Sequence, residues 1–422
     1  MNGPDKNLNL YVRGMKPSAT VAINERSNAL RSEGRDIIKF GLGQSPFPVP
    51  PCVVQSLRDH AHEKDYLPVK GLRALRDSVA HFHEERDGIV GRSGDDVLVG
   101  PGSKELLFLL QLVFYGDLVI PAPAWVSYAP QARIIGRQVR MIPTSRDNGW
   151  RLTPEGLAQI CAEDEGRPRI LVLNYPSNPT GLSFDTSQLE AIAEIARKHQ
   201  LVVVSDEIYG EVHHRGEHVS LARFYPEGTI VSAGLSKWCG AGGWRIGTFL
   251  FPPEMRWLMD AMATAASETY TSVCAPIQYA SVRAYQGGPE IESYLAASRR
   301  VLTELGGWCA RRLQQAGVAV DVPDGAFYLF PDFEPLREKL EAKGVRNPTA
   351  LCHQLLEDTG VAVLPGTDFG RPQNELTIRM AYVDFNGEAA IAHAHQSIDE
   401  TWLRTHCGRV VDGVERMCAW VE

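Results

Sequence analysis

The chain has 422 residues, 43 Lys and Arg against 51 Asp and Glu for a formal net charge of −8, and 44% hydrophobic content. That composition excludes a disordered chain, a collagen-like repeat and a small disulfide scaffold. The mild acidity also argues against a dedicated nucleic-acid binder, which needs a basic face to neutralise phosphates.

A single core rarely grows beyond about 250–300 residues, so the length favours two domains. The opening Met1 to Lys6 is polar and lacks the apolar stretch of a secretory signal. A helix is expected from Ser18 to about Arg31, followed by a Gly41-Leu42-Gly43 turn. From Pro50 to about Gln286 short apolar runs alternate with helical segments, the pattern of a mostly parallel sheet covered on both faces. The strand candidates are Val97 to Val99, Leu118 to Ile120, Gln138 to Ile142, Ile170 to Asn174, Leu201 to Ser205, Thr229 to Ala233 and Ile246 to Phe251. A helix is expected over Glu105 to Tyr115; its greasy run, Leu106 to Tyr115, is about half a membrane span and ends at Gly116-Asp117. Thr153-Pro154-Glu155 puts a capping hydroxyl before a proline at a helix start, and Ser187-Gln188-Leu189-Glu190 has the form of a capping box.

After Gly287-Gly288-Pro289 the character changes. A long helix over Glu290 to Gln315 leads into short strands at Val318 to Val322, Ala326 to Phe330, Val361 to Val363 and Leu376 to Tyr382. The expected architecture is α/β: a large doubly wound mixed, mostly parallel sheet domain over 46–290, plus a smaller α+β domain from 1–45 and 291–422. The eight cysteines are scattered without a Cys-x-x-Cys pair, which predicts reduced thiols in a cytoplasmic protein. His81-x-His83, His213-His214 and His393-x-His395 have no third ligand at metal spacing, so no metal site is expected and the pairs read as solvated histidines. No Gly-x-Ser-x-Gly elbow is present.

Three segments fall at the C-terminal ends of expected strands, where open α/β sheets hold ligands. They are Tyr175-Pro176-Ser177-Asn178-Pro179-Thr180-Gly181, Ser205-Asp206-Glu207-Ile208-Tyr209, and Ser232-Ala233-Gly234-Leu235-Ser236-Lys237, with Gly243-Trp244-Arg245-Ile246-Gly247 close behind. Taken singly each reads as a turn, a cap or a surface charge. Together they supply an amine, a carboxylate, hydroxyl and amide donors and a fixed cation, which is what pyridoxal phosphate (PLP) requires.

On these motifs the chain resembles the fold-type I, class I/II aminotransferases, and most closely their bacterial aspartate/prephenate branch. Met15-Lys16-Pro17-Ser18-Ala19-Thr20-Val21 and Val363-Leu364-Pro365-Gly366-Thr367-Asp368-Phe369 carry the same likeness. The resemblance implies Lys237 as the Schiff-base lysine, Asp206 as partner of the pyridine nitrogen, and Asn178 and Tyr209 as donors to the ring oxygen. It implies Arg245, Ser236, Gly102 and Ser103 as phosphate ligands, the last two in Gly100-Pro101-Gly102-Ser103-Lys104, and Trp125 as the ring stacked on the pyridine face. Tyr66, in Asp65-Tyr66-Leu67-Pro68, matches a tyrosine that reaches a neighbouring subunit's phosphate, so a homodimer is implied.

For the substrate, the resemblance implies Arg379 as receptor of the α-carboxylate, Gly43 and Asn178 beside it, Trp125 against the substrate, and Lys104 with nearby Thr20 at a distal carboxylate. An arginine inside the apolar strand Leu376 to Ala381 is in any case costly unless it meets an anion. The implied activity moves an amino group from an amino acid, aspartate or glutamate favoured, to a 2-oxo acid. Lys237, Asp206 and Arg245 alone leave open a PLP-dependent elimination on the same scaffold. The rim departs from the usual family pattern at Gly43-Gln44-Ser45-Pro46-Phe47 and at Trp238-Cys239-Gly240-Ala241-Gly242, which leaves the individual substrate open. Neither a nucleic acid nor a membrane is an expected partner.

Overall fold

Apolar runs flanked by glycines and helix starts build the centre of the molecule in the computed structural model, which describes residues 7–422. Met1 to Lys6, expected as a polar terminus, lie outside the described residues. In chain order the strands are β1 (Ile38–Lys39), β2 (Val97–Gly100), β3 (Asp117–Ala122), β4 (Val139–Pro143), β5 (Arg169–Asn174) and β6 (Val202–Asp206). There follow β7 (Thr229–Gly234), β8 (Gly247–Leu250), β9 (Tyr328–Leu329), β10 (Val361–Ala362), β11 (Leu364–Pro365) and β12 (Ile378–Ala381).

Seven strands form one sheet in the order β2-β8-β7-β6-β5-β3-β4. Only β8 runs against its neighbours; the other pairs are parallel. The sheet is buried on both faces, and the pleat divides its side chains between two cores. Ile170 and Val172 of β5 pack with Leu106, Leu110 and Met262 on one side. Leu171 and Leu173 pack with Leu189 and Ile192 on the other. This is why these strands read as unbroken apolar runs. The greasy segment after Gly102 is the helix Ser103–Val113, buried against this sheet, and no helix of the described residues is long and apolar enough to cross a membrane.

The remaining strands join the two ends of the chain. β1 pairs in parallel with β10, Ile38 opposite Val361, and β11-β12-β9 forms a three-stranded antiparallel sheet. Arg31 and the Lys39 amide both donate to Asp384 at 2.8 and 2.9 Å.

Several expected boundaries shift for local reasons. The helix Thr186–Lys198 is capped by Asp185, not Ser187: Asp185 accepts the Gln188 amide at 2.8 Å, and Gln188 returns a bond to the Asp185 amide at 3.0 Å. Val318 to Val322 is not a strand and makes one bridge, Ala319 to Asp332. Ala326 to Phe330 shortens to β9 because Ala326 sits at φ +57°, outside strand geometry. The Thr153 cap is present, accepting the Gly156 amide at 3.2 Å.

The register aligns the site. Asn174, Asp206 and Ser232 stand side by side at the C-terminal edge of β5, β6 and β7. Because β8 is reversed, its first residue, Gly247, lies at that same edge between Gly100 and Gly234. Arg245, two residues earlier, is thereby delivered beside the β2 loop.

Candidate active site

A cavity of about 570 Å³ opens over this edge, walled on its far side by the N-terminal segment, β9 and β12. Lys237 enters it three residues past β7, and its Nζ donates to the Gly43 carbonyl at 2.7 Å. The side chain is open to the cavity yet enclosed by protein. Burial first, then Arg379 and Arg245, push its pKa down to about 8. A lysine depressed this far holds a useful fraction of neutral, nucleophilic amine near neutral pH.

Among the described residues Asp206 is the only carboxylate lining the cavity. It accepts Tyr128 Oη at 2.5 Å and Ser232 Oγ at 3.1 Å. Burial raises its pKa to about 6 against the pull of those two bonds. Tyr209 Oη pairs with Tyr328 Oη at 2.7 Å, and the backbone N–H of Asn178, also buried, donates to Asn174 Oδ1 at 2.7 Å.

One corner is made for an anion. Gly102 precedes the helix Ser103–Val113 at φ +93°, and a Cβ there would lie 2.3 Å from Arg245 Nη2. A Cβ on Gly247 would lie 2.2 Å from the Ser103 amide nitrogen. The glycines therefore let backbone amides and guanidinium converge. The first amides of that helix have no carbonyl partner in it and carry the positive end of its dipole. Arg245 rests on the Gly242 and Pro101 carbonyls at 2.8 and 3.3 Å, and Ser103 and Ser236 line the cavity with it.

A second anion receptor stands opposite. Arg379 is 1% exposed, its guanidinium 5.0 Å from the centre of the Tyr328 ring and 5.1 Å from that of Phe369. Nη1 donates to Asn178 Oδ1 at 3.3 Å and Nη2 to the Gly41 carbonyl, while Nε has no partner among the described residues. A buried cation with an unused N–H at a cavity wall is a receptor for a planar anion. Lys104 adds a further cation, its Nζ 5.1 Å from the Trp125 ring, which meets Tyr128 edge-on.

Lys237, Asp206, Tyr209, Asn178, Ser236, Arg245, Ser103, Trp125, Gly43, Lys104, Thr20 and Arg379 thus share one cavity, with Gly102 directly behind it. Tyr66 does not join them: it is 90% exposed and away from the cavity of its own chain. Tyr128, Asn174, Ser232 and Tyr328 belong to the site and were missed. Asn174 and Ser232 carried a signal: Asn174 immediately precedes the Tyr175 to Gly181 segment, and Ser232 opens the Ser232 to Lys237 segment. Tyr328 is hidden inside the apolar run Ala326-Phe327-Tyr328-Leu329-Phe330.

The histidines need correction. His83 and His213 are buried, not solvated. His83 Nδ1 lies 2.6 Å from Asp87 Oδ2, and the half-buried His218, which no sequence pattern marked, lies 2.9 Å from Glu207. Ligand atoms of Asp87, Glu207 and His218 come within 4.8 Å of one another behind the sheet. Glu207 is already held there by His218, Ser220 at 2.6 Å and Tyr175 at 3.3 Å.

The cavity suits PLP end by end. It offers an amine of depressed pKa, a buried carboxylate lacking a cation, a glycine cradle with an arginine, and a second arginine with an unused donor. A net −8 chain has gathered Lys104, Lys237, Arg245 and Arg379 around one carboxylate, the balance that a phosphate cofactor and carboxylate substrates require.

Comparison with known proteins agrees. The family description "Aminotransferase class I and II" matches residues 35–388. An asparagine–oxo-acid transaminase from Streptococcus mutans is 33% identical over 393 residues, covering 89% of this chain and 94% of the relative. An aspartate/prephenate aminotransferase from Thermus thermophilus is 32% identical over 369 residues, covering 86% and 92%. The solved aspartate aminotransferase from Thermus thermophilus with maleate superposes with a TM-score of 0.84 at 29% identity, covering 99% of this chain and 100% of that one. A match of this extent, on a cavity already equipped for PLP, makes the chain a member of the class I and II aminotransferases, PLP-dependent transaminases of fold type I, on the bacterial aspartate/prephenate side of the family.

Proposed function

We propose that the enzyme takes an amino group from a dicarboxylic amino acid, aspartate or glutamate, and passes it to a 2-oxo acid. The observation that carries this reading is the surplus of cations: after Arg245 meets a phosphate and Arg379 an α-carboxylate, Lys104 remains at the rim for a distal anionic group. The names of the relatives, which act on aspartate, asparagine and prephenate partners, lend support.

PLP supplies, when bound, an electron-withdrawing ring that spreads the negative charge left when the substrate α-proton departs. Lys237 would anchor the cofactor, and its Nζ, when free, would be the base that takes the proton from substrate Cα and the acid that gives it back. Asp206, steadied by Tyr128 and Ser232, holds the proton on the ring nitrogen. Asn178 and Tyr209 would donate to the ring oxygen, and Trp125, on the same cavity wall, would pack against the ring. Gly102, Ser103, Ser236 and Arg245 hold the phosphate. Arg379, Asn178 and Gly43 orient the α-carboxylate so that the Cα–H faces Lys237, with Lys104 and Thr20 at the distal end.

Rapid mixing of the purified holoenzyme with single amino acids tests the substrate class. Aspartate or glutamate should discharge the cofactor's visible band in one turnover, far faster than alanine or leucine. A band unmoved by any dicarboxylic amino acid, or release of ammonia without an oxo-acid acceptor, sinks the reading.

Tyr66, bare on its own subunit, motivates a homodimer in which it reaches the phosphate of the neighbouring site. Sedimentation should give a dimer, and Tyr66→Phe should weaken PLP binding by about tenfold to a hundredfold, the worth of one hydrogen bond to a charged group. A monomer that binds PLP with full affinity refutes it. We read 46–290 as a PLP-binding domain and 1–45 with 291–422 as a smaller one, on the strength of the β1–β10 pairing; scattered free cysteines support a cytoplasmic location. Limited proteolysis and cell fractionation are the respective checks.

A further inference from the structure

We infer that Tyr328 is a positioning residue that fixes where Tyr209 sends its proton. The inference rests on the reading of Tyr209 as a donor to the cofactor's ring oxygen.

The two hydroxyls are 2.7 Å apart and both rings are buried. Burial, the largest influence on each, raises both phenols above their ordinary range, so each keeps its one proton. One proton and two lone pairs per hydroxyl restrict the possibilities. If Tyr209 spends its proton on a ring oxygen, it can meet Tyr328 only as an acceptor, and Tyr328 must donate. A Tyr209 that accepts a hydrogen bond is the stronger donor, because successive hydrogen bonds polarise one another.

The surroundings hold Tyr328 to this task. It stands on β9, where it pairs with Ala381 of β12, two residues from Arg379. Its ring lies 5.0 Å from the Arg379 guanidinium and meets the Tyr209 ring edge-on at 5.5 Å. Its hydroxyl packs so closely on Gly43 that a Cβ there would lie 1.9 Å away. The carbonyl of that same glycine holds Lys237 Nζ at 2.7 Å. One side chain therefore touches the group that binds the ring oxygen, the backbone that holds the lysine, and the arginine that receives the carboxylate. Phenylalanine would keep the ring against Arg379 and Tyr209 and remove the hydroxyl, and with it the proton given to Tyr209.

The experiment is a pH titration of the holoenzyme's visible absorbance in the parent, Tyr328→Phe, Tyr209→Phe and the double variant. Without the donor from Tyr328, negative charge on the ring oxygen is less well stabilised, so the cofactor keeps its titrating proton to higher pH. The midpoint should rise by about 0.5–1 pH unit in Tyr328→Phe, the worth of one hydrogen bond. It should rise further in Tyr209→Phe and no further in the double variant, since Tyr328 acts only through Tyr209. A midpoint that moves in Tyr209→Phe but not in Tyr328→Phe overturns the proposal alone. Additive shifts in the double variant also overturn it, because they give Tyr328 an independent effect. A midpoint unmoved in Tyr209→Phe removes the underlying reading and this proposal with it.

Discussion

Lys237→Ala should lower turnover by at least about 10⁴-fold, the upper range of a lost general base, compounded by the loss of the covalent anchor. The cofactor's lysine-linked visible band should vanish, while the protein stays folded. The second half of that expectation follows from the structure: Lys237 makes one hydrogen bond, to the Gly43 carbonyl, and its ammonium is disfavoured by burial and two arginines. Removing it relieves repulsion instead of breaking an ion pair. Small primary amines in the buffer should restore part of the activity, because the vacated volume faces the cavity and the remaining groups stay in place. Lys237→Arg should remain inactive, since a guanidinium does not give up its proton near neutral pH. Steady-state turnover and visible spectra of the three proteins decide the matter; substantial turnover by Lys237→Ala without added amine ends the assignment.

The second large effect is expected at Arg379. Truncating one partner of a buried, hydrogen-bonded charge pair costs about 2–5 kcal/mol, so Arg379→Met should reduce kcat/KM for amino acids roughly 10²- to 10³-fold. In the ligand-free protein the same change should leave the melting temperature unchanged or raise it. Arg379 is buried without a carboxylate partner and its Nε bonds to nothing, so a methionine of similar length removes a desolvated charge at little loss of packing. Loss of catalysis with retained or improved stability separates a receptor for substrate from a structural ion. Arg379→Lys should recover only a small part, because a point charge lacks the planar fork. An unchanged kcat/KM in Arg379→Met, or a collapse of the fold, would falsify the role proposed for it.

Much of this site was legible before any coordinates, and the reason is local. Strands buried on both faces must be apolar throughout, so the motifs that end them stand out as polar breaks in greasy runs. Asp206 after Val202 to Ser205, and Asn178 after Ile170 to Asn174, are of this kind. Lys237 and Arg245 are charges among glycines, and Arg379 is a charge inside an apolar strand. Tyr328 and Tyr128 had no such contrast, since a tyrosine in an apolar run reads as packing until a partner hydroxyl is found. The histidines failed in the opposite sense. His83 lies on a helix face that sequence alone leaves ambiguous; its ring meets Phe82 edge-on, and Phe82 in turn packs on the distant Trp238 and Tyr285.

By itself, then, the sequence determined the α/β class, the strands of the central sheet and the polar groups at their ends, because these depend on periodicity and neighbours within a few residues. The tertiary structure decided what those groups face. The reversal of β8 carries Arg245 to the Gly102 cradle, and β9 and β12 bring Tyr328 and Arg379 across from Tyr209 and Asn178. Those meetings span gaps of 119 and 201 residues, and only the packing of whole elements sets them. It also left Tyr66 on the surface, 90% exposed.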